Sequence, residues 1–211
     1  MAAALNLLIP PRCLACKRVG IEPLCHDCLH DLEPDEEGHE LAPGVVAVSV
    51  YVYADPLATA IKRVKTDALR AGARGLATLL EPHVPPKTPR TWVPAPPRRR
   101  RRRGLDLPEI LAGPAARALL VNTRTRIDQD RLDARGRRRS AVGSYAATAT
   151  VPRAVVLIDD VRATGATLLA AATALRRAGA ERVLALTLAA SPGPPSVVQD
   201  HGLSTGSARW S

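Results

Sequence analysis

VVLIDDVRATGATL, residues 155–168, is the stretch on which the reading of this chain turns. Four consecutive apolar residues, Val155 to Ile158, are what a strand buried on both faces carries. Asp159 and Asp160 follow, then a loop from 162 to 166, then a helical stretch. Such a turn frees the backbone N–H groups of Ala163, Thr164, Gly165, Ala166 and Thr167, which can surround a phosphate, with the Thr164 and Thr167 hydroxyls as further donors. Gly165 permits close backbone approach. Two carboxylates at a strand end accept hydrogen bonds from vicinal ribose hydroxyls and attract a divalent ion. The plainer alternative makes the acids caps of an ordinary turn. It must then explain two like charges set directly against an apolar strand, where desolvation is costly without a ligand or cation.

Outward from this segment, strands alternate with helices. Residues 182–189 read as a second apolar strand, 166–178 as the helix between, and 45–53 as an earlier strand rich in β-branched and aromatic residues. Asp55-Pro56 starts a helix on which Leu57, Ala60, Ile61 and Val64 recur at helical spacing, followed by a helix over 74–81. A short strand over 91–95, a helix over 108–120 and a polar, Arg-rich stretch over 123–144 complete the pattern. The alternation predicts an α/β fold with a mostly parallel sheet covered on both faces. The boundaries expected are a cysteine module at 1–33, a linker at 34–44, the main domain at 45–190 and a mobile tail at 191–211.

The second constellation is Cys13-Leu-Ala-Cys16, eight residues, then Cys25-His-Asp-Cys28. A two-residue spacing lets a knuckle turn aim two sulfurs at one point, and two knuckles supply the four soft ligands of a tetrahedral zinc site. Two disulfides or a redox dithiol are the alternatives. A reducing compartment disfavours the first, and a redox motif needs only one pair. A closed four-thiolate site keeps no open coordination position, so its zinc would be structural rather than catalytic. His26 and His30 are then bystanders.

With 211 residues the chain suits one core of about 150 residues plus a small appendage, which excludes a large multidomain enzyme. It has no Phe and only 2% aromatic residues against 46% hydrophobic ones, so aliphatic side chains must fill the core. No uncharged apolar run reaches the ~18 residues that a bilayer span needs. The opening MAAALNLLIPPR lacks a basic segment before its apolar stretch, and a cytoplasmic protein is expected. The net charge of +10 favours anionic partners, and it stays positive even if four thiolates and a divalent ion remove about two charges. Six consecutive arginines, 98–103, concentrate it. They form a solvated loop, a pyrophosphate contact or a nucleic-acid contact. Without interleaved aromatics, any DNA contact would be to the backbone.

DDVRATGAT resembles the phosphoribosyl pyrophosphate motif of type I phosphoribosyltransferases, and residues 5–190 resemble the ComF family of competence-related proteins. The cysteine module is similar to that family's N-terminal zinc finger. Residues 53–65, with the basic Lys65, look like its first strand and helix. VPAPP with Arg103-Gly104-Leu105-Asp106 resembles its Pro-rich loop and Arg-Gly-Phe-Asn signature. Arg124, Gln129, Leu132 and Arg137 fit its polar series. Ala163, Leu105 and Ser140 depart from the usual Thr, Phe and Asn. The resemblance implies a type I phosphoribosyltransferase fold with its crevice at the carboxyl ends of the strands. It implies phosphoribosyl pyrophosphate as ligand, magnesium beside it, and Asp159 and Asp160 as the catalytic and ribose-holding pair. Lys65, Arg98, Arg99, Arg102 and Arg103 become candidates for pyrophosphate or nucleic acid. Two functions follow as expectations: phosphoribosyl transfer, or a non-catalytic accessory role in DNA uptake or processing with single-stranded DNA or a helicase as partner.

Overall fold

The structure is a computed structural model that describes residues 11–19, 23–35, 37–123 and 143–192. Its elements in chain order are α1 (His26–His30), β1 (Gly38–Ala42), β2 (Val45–Val52), α2 (Leu57–Asp67), α3 (Arg70–Leu80), β3 (Arg90–Trp92), α4 (Pro97–Arg103), α5 (Leu107–Ala112), β4 (Leu120–Asn122), β5 (Tyr145–Ala147), β6 (Ala154–Arg162), α6 (Ala166–Arg177) and β7 (Arg182–Ala190). Five strands form one sheet in the order β1-β2-β7-β6-β3. The four from β2 to β3 are mutually parallel, and β1 pairs antiparallel at the edge. The expected α/β class with a mostly parallel sheet is therefore present.

Alternation along the central strands sorts side chains into two cores, because successive residues of a strand face opposite ways. Val156, Ile158, Leu184 and Leu186 pack with α2, α3 and α5 on one face. Val155, Leu157, Val183 and Ala185 pack with α6 and the β4–β5 hairpin on the other. The helices contribute one stripe each: Leu57, Ala60, Ile61 and Val64 of α2 are all buried. Asp55 caps this helix from one residue before the proline, its Oδ1 accepting the Thr59 amide at 3.1 Å and the Thr59 hydroxyl at 2.7 Å.

Four expectations change. Residues 38–42, read as linker, form β1, because a two-residue turn at Pro43-Gly44 folds them back on β2; Gly44 has φ +75, where a Cβ would sit 2.7 Å from the Glu181 carbonyl. The helix read over 108–120 stops at Ala112. Gly113 with φ +75 leads into Pro114, which has no N–H to continue the ladder, and Leu120 begins β4. The arginine run, for which a solvated loop was one of three alternatives, is helix α4, with Pro97 at its start, arginines of good helix propensity within, and Gly104 at φ +68 closing it. The strand read over 155–158 continues to Arg162, because β7 keeps pairing with it as far as Ala190.

The cysteine module packs directly on this domain. Leu14 and Leu24 join the same core as α2 and α3, and Leu14 lies against Gly72, where a Cβ would come within 2.8 Å of its Cδ2. Arg63 of α2 donates to the Leu14 carbonyl at 2.5 Å. Among the described residues, no helix is long and apolar enough to cross a membrane.

Candidate functional site

Two clusters of functional side chains emerge. The first is the cysteine knuckle pair. Arg12 and Val19 bridge, the Cys13 amide donates to the Arg18 carbonyl at 2.9 Å, and the Lys17 amide donates to the Cys13 carbonyl at 3.0 Å, so the chain reverses around Cys13 and Cys16. Cys25 precedes α1, whose first turn carries Cys28 inward. The four sulfurs lie within 4.8 Å of one another, and Cys16 Sγ and Cys25 Sγ are 3.6 Å apart. Tetrahedral zinc–thiolate bonds of about 2.3 Å require sulfur–sulfur separations of roughly 3.8 Å, so these residues fit one metal ion.

All four are free thiols, and Cys13, Cys25 and Cys28 are buried while Cys16 is exposed. Burial raises the Cys13 pKa, but the amides of Cys25, Cys16 and Ala15 outweigh it and bring the thiol down to about 6. Cys28 is pushed up to about 12, by burial first and then by the neighbouring Cys25, Cys16 and Cys13. A shared cation would take all four as thiolates.

The second cluster lies at the carboxyl end of β6. Asp159 and Asp160 occupy the last turn of the pleat before Val161 and Arg162, and residues 163–165 bend into the twelve-residue α6. Gly165 adopts φ +78 and begins the helix. Ala163, Thr164 and Thr167 are exposed, Ala166 is half-buried and Gly165 is buried. The Thr164 hydroxyl accepts the Ala166 amide at 3.3 Å.

The acid pair is half-buried and internally linked: Asp159 Oδ1 accepts the Asp160 amide at 2.8 Å. Burial first, then the charge of Asp160, pushes the Asp159 carboxyl well above the usual carboxylate range, against the pull of the Asp160 amide and Lys65. Lys65 of α2 reaches Asp160 Oδ2 with its Nζ at 2.8 Å, both side chains mostly covered. Sequence reading offered Lys65 to a pyrophosphate; the structure sets it on the acid pair itself.

Arg98, Arg99 and Arg102 are exposed on α4 and Arg103 is half-exposed. Arg100 stands 3.8 Å from Glu109. Arg124, Gln129, Leu132, Arg137 and Ser140 lie outside the described residues, as does most of the tail that begins at 191.

Sequence reading passed over two residues. Arg162, inside the motif, is buried: its Nε donates to the Ser49 hydroxyl at 3.2 Å and its Nη2 to Asp35 Oδ2 at 3.2 Å. Asp106, at the foot of α5, is also buried, with Oδ2 accepting the Ala95 amide at 3.1 Å. Burial first, and the charges of Glu109 and Asp160, push its pKa up to about 6 against the Ala95 amide and Arg100. The available signal was a charged residue inside an otherwise apolar run, Leu105-Asp-Leu-Pro108. No family model matches this chain, and no curated protein matches it.

Proposed function

We propose that this chain is a ComF-like protein of the type I phosphoribosyltransferase kind, binding phosphoribosyl pyrophosphate or a related ribose 5-phosphate at the carboxyl end of β6. One zinc ion on Cys13, Cys16, Cys25 and Cys28 would staple its N-terminal module. The observation that carries the reading is the placement of Asp159 and Asp160 at the end of a central parallel strand, immediately before an exposed bend and the start of α6. Ligands of open α/β sheets collect at strand carboxyl ends.

In this reading the amides of 163–167 and the hydroxyls of Thr164 and Thr167 hold the 5-phosphate, and the two carboxylates take the ribose hydroxyls. Lys65 orients Asp160 through its 2.8 Å contact with Oδ2. If group transfer occurs, a nucleophilic nitrogen displaces pyrophosphate at the anomeric carbon. The chain then contributes positioning and charge stabilisation, not covalent chemistry. Magnesium bound with the ligand would neutralise charge on the leaving pyrophosphate, and Asp159 and Asp160 are the residues placed to meet it.

Calorimetry with phosphoribosyl pyrophosphate tests this. Binding should require magnesium and weaken at least about tenfold in the Asp159→Asn, Asp160→Asn double variant, the scale of losing one charge-assisted contact or more. Because Asp159 holds its proton more tightly than an ordinary carboxyl, binding should also release protons, giving a heat that varies with buffer ionisation enthalpy. Equal affinity in the double variant would contradict the assignment.

A second reading, contact with single-stranded nucleic acid in DNA uptake or processing, draws support from the exposed arginines of α4. Affinity for an oligonucleotide should then fall steeply with salt, and replacing residues 98–103 by Ser should flatten that slope by several phosphate contacts. An unchanged titration leaves α4 a solvated helix.

A further inference from the structure

A cavity of about 1380 Å³ opens between α3, α4, α5 and the strands β3 and β4, and none of residues 159–167 lines it. Ligand pockets generally run to about 300–1,000 Å³, so this one has room for a whole small molecule. Three features of its wall restrict what that molecule is.

Asp106 lines it and is 4% exposed. Its Oδ2 is satisfied by the Ala95 amide, but its Oδ1 is buried with no hydrogen-bond partner. Folded proteins leave few buried oxygens in that state, and on a residue that lines the cavity such an atom is a candidate acceptor for a donor that enters it. Four arginines, Arg70, Arg74, Arg100 and Arg101, are among the residues that line the same space. Arg70 is steadied by donating to the Gly104 carbonyl at 3.0 Å, and Arg100 leans toward Glu109. Such a concentration of guanidinium suits phosphate. The remaining wall is mixed: Glu81, Glu109, Thr78 and Asn122 stand on it, and its apolar part includes the half-buried indole of Trp92, with Leu105 and Ile110. An indole face stacks on flat heterocycles.

A sugar phosphate would leave the apolar wall uncovered, and an aryl acid would leave Asp106 without its donor. A flat heterocycle with an N–H at one end and a phosphate at the other satisfies all three. We propose that this cavity is a second ligand site, separate from the bend at 163–167, that takes a nucleoside monophosphate. The base lies against Trp92 with one ring or exocyclic N–H on Asp106 Oδ1, and the phosphate lies among Arg70, Arg74, Arg100 and Arg101. This site stands whether or not the 159–167 segment holds a ribose phosphate.

The test titrates AMP, GMP, CMP and UMP separately into the full chain carrying Trp210→Phe, which leaves Trp92 as its single indole. At least one nucleotide should bind with a dissociation constant below a millimolar and quench Trp92 emission. Arg74→Ser should weaken that nucleotide about tenfold. Asp106→Asn, which turns an NH₂ toward the base, should weaken it or change which base is preferred. A Thr164→Val, Thr167→Val double variant, which removes two hydroxyl donors assigned to the 5-phosphate without changing charge near Asp106, should bind it within about twofold of the parent, so failure here and failure of the ribose-phosphate reading are read out separately. The proposal is overturned if none of the four binds, if binding leaves Trp92 emission unchanged, if Arg74→Ser has no effect, or if only an oligonucleotide binds.

Discussion

Cys13→Ser is expected to empty the metal site and unfold the N-terminal module while the central sheet persists. The module has little else to hold it: among the described residues it contributes one five-residue helix, the short Arg12–Val19 bridge and a few buried apolar side chains, chiefly Leu14 and Leu24. So small a unit cannot bury enough surface to offset its chain entropy. Zinc on four thiolates contributes roughly 10–16 kcal/mol in isolated fingers, more than any contact it could replace. Serine preserves size but offers no soft thiolate. The purified parent should carry about one zinc per chain. The variant should carry almost none, and proteolysis should begin within residues 11–33. Because Leu14 packs against Gly72 and Arg63 holds the Leu14 carbonyl, the loosened module should also expose part of α2 and α3 and lower the unfolding midpoint. A chelated parent should behave in the same way. Parent protein that contains no zinc and still resists proteolysis would remove the metal from the account.

Arg162→Met is expected to lower stability by about 3–5 kcal/mol, the scale for removing one partner of a buried ion pair. Arg162 is 2% exposed, and its guanidinium joins three parts of the chain: β6 itself, Ser49 on β2, and Asp35 in the segment leading to β1. Methionine fills the volume but leaves the half-buried Asp35 carboxylate without its partner and the Ser49 hydroxyl short of a donor, although Thr187 still donates to Ser49 at 2.8 Å. Replacing both charges, Arg162→Met with Asp35→Leu, should recover most of the loss, since no charge is then left unpaired. Urea unfolding of the two singles and the double gives the coupling energy. His39 supplies an independent readout. Burial first, and then the Arg162 charge, holds its pKa below the ordinary histidine value, opposed by Glu37 and Asp35. Removing Arg162 should therefore let the His39 titration move upward in an NMR series. A single variant that costs less than about 1 kcal/mol, with His39 unmoved, would show that Arg162 is not the tie described.

Much of this was legible because it is local. The uninterrupted apolar run at 155–158 and the largely apolar stretch at 182–189 announced buried parallel strands, and helical spacing at Leu57, Ala60, Ile61 and Val64 announced the buried stripe of α2. The Cys-x-x-Cys pairs announced four sulfurs converging on one point, and the sulfurs do converge. Local rules erred where neighbours in space decided the matter. Residues 38–42 have no strong strand pattern but gain a ladder because β2 is beside them. The acids at 159 and 160 continue a strand because β7 extends to Ala190. The break at Gly113-Pro114 was readable and was passed over, whereas the helical state of six arginines depended on Pro97 and Gly104 bounding them.

From the sequence alone came the class of fold, the thiolate set and the acid-loop-helix segment, because backbone preference and side-chain periodicity act over a few residues. The tertiary structure alone brought Lys65 to Asp160, tied Arg162 to Asp35, and left Asp106 with an unmatched oxygen on the wall of a large cavity. Those relations join residues 95 and 127 positions apart or depend on who is excluded from a closed space. Burial and charge pairing are properties of the packed chain, and no stretch of sequence carries them by itself.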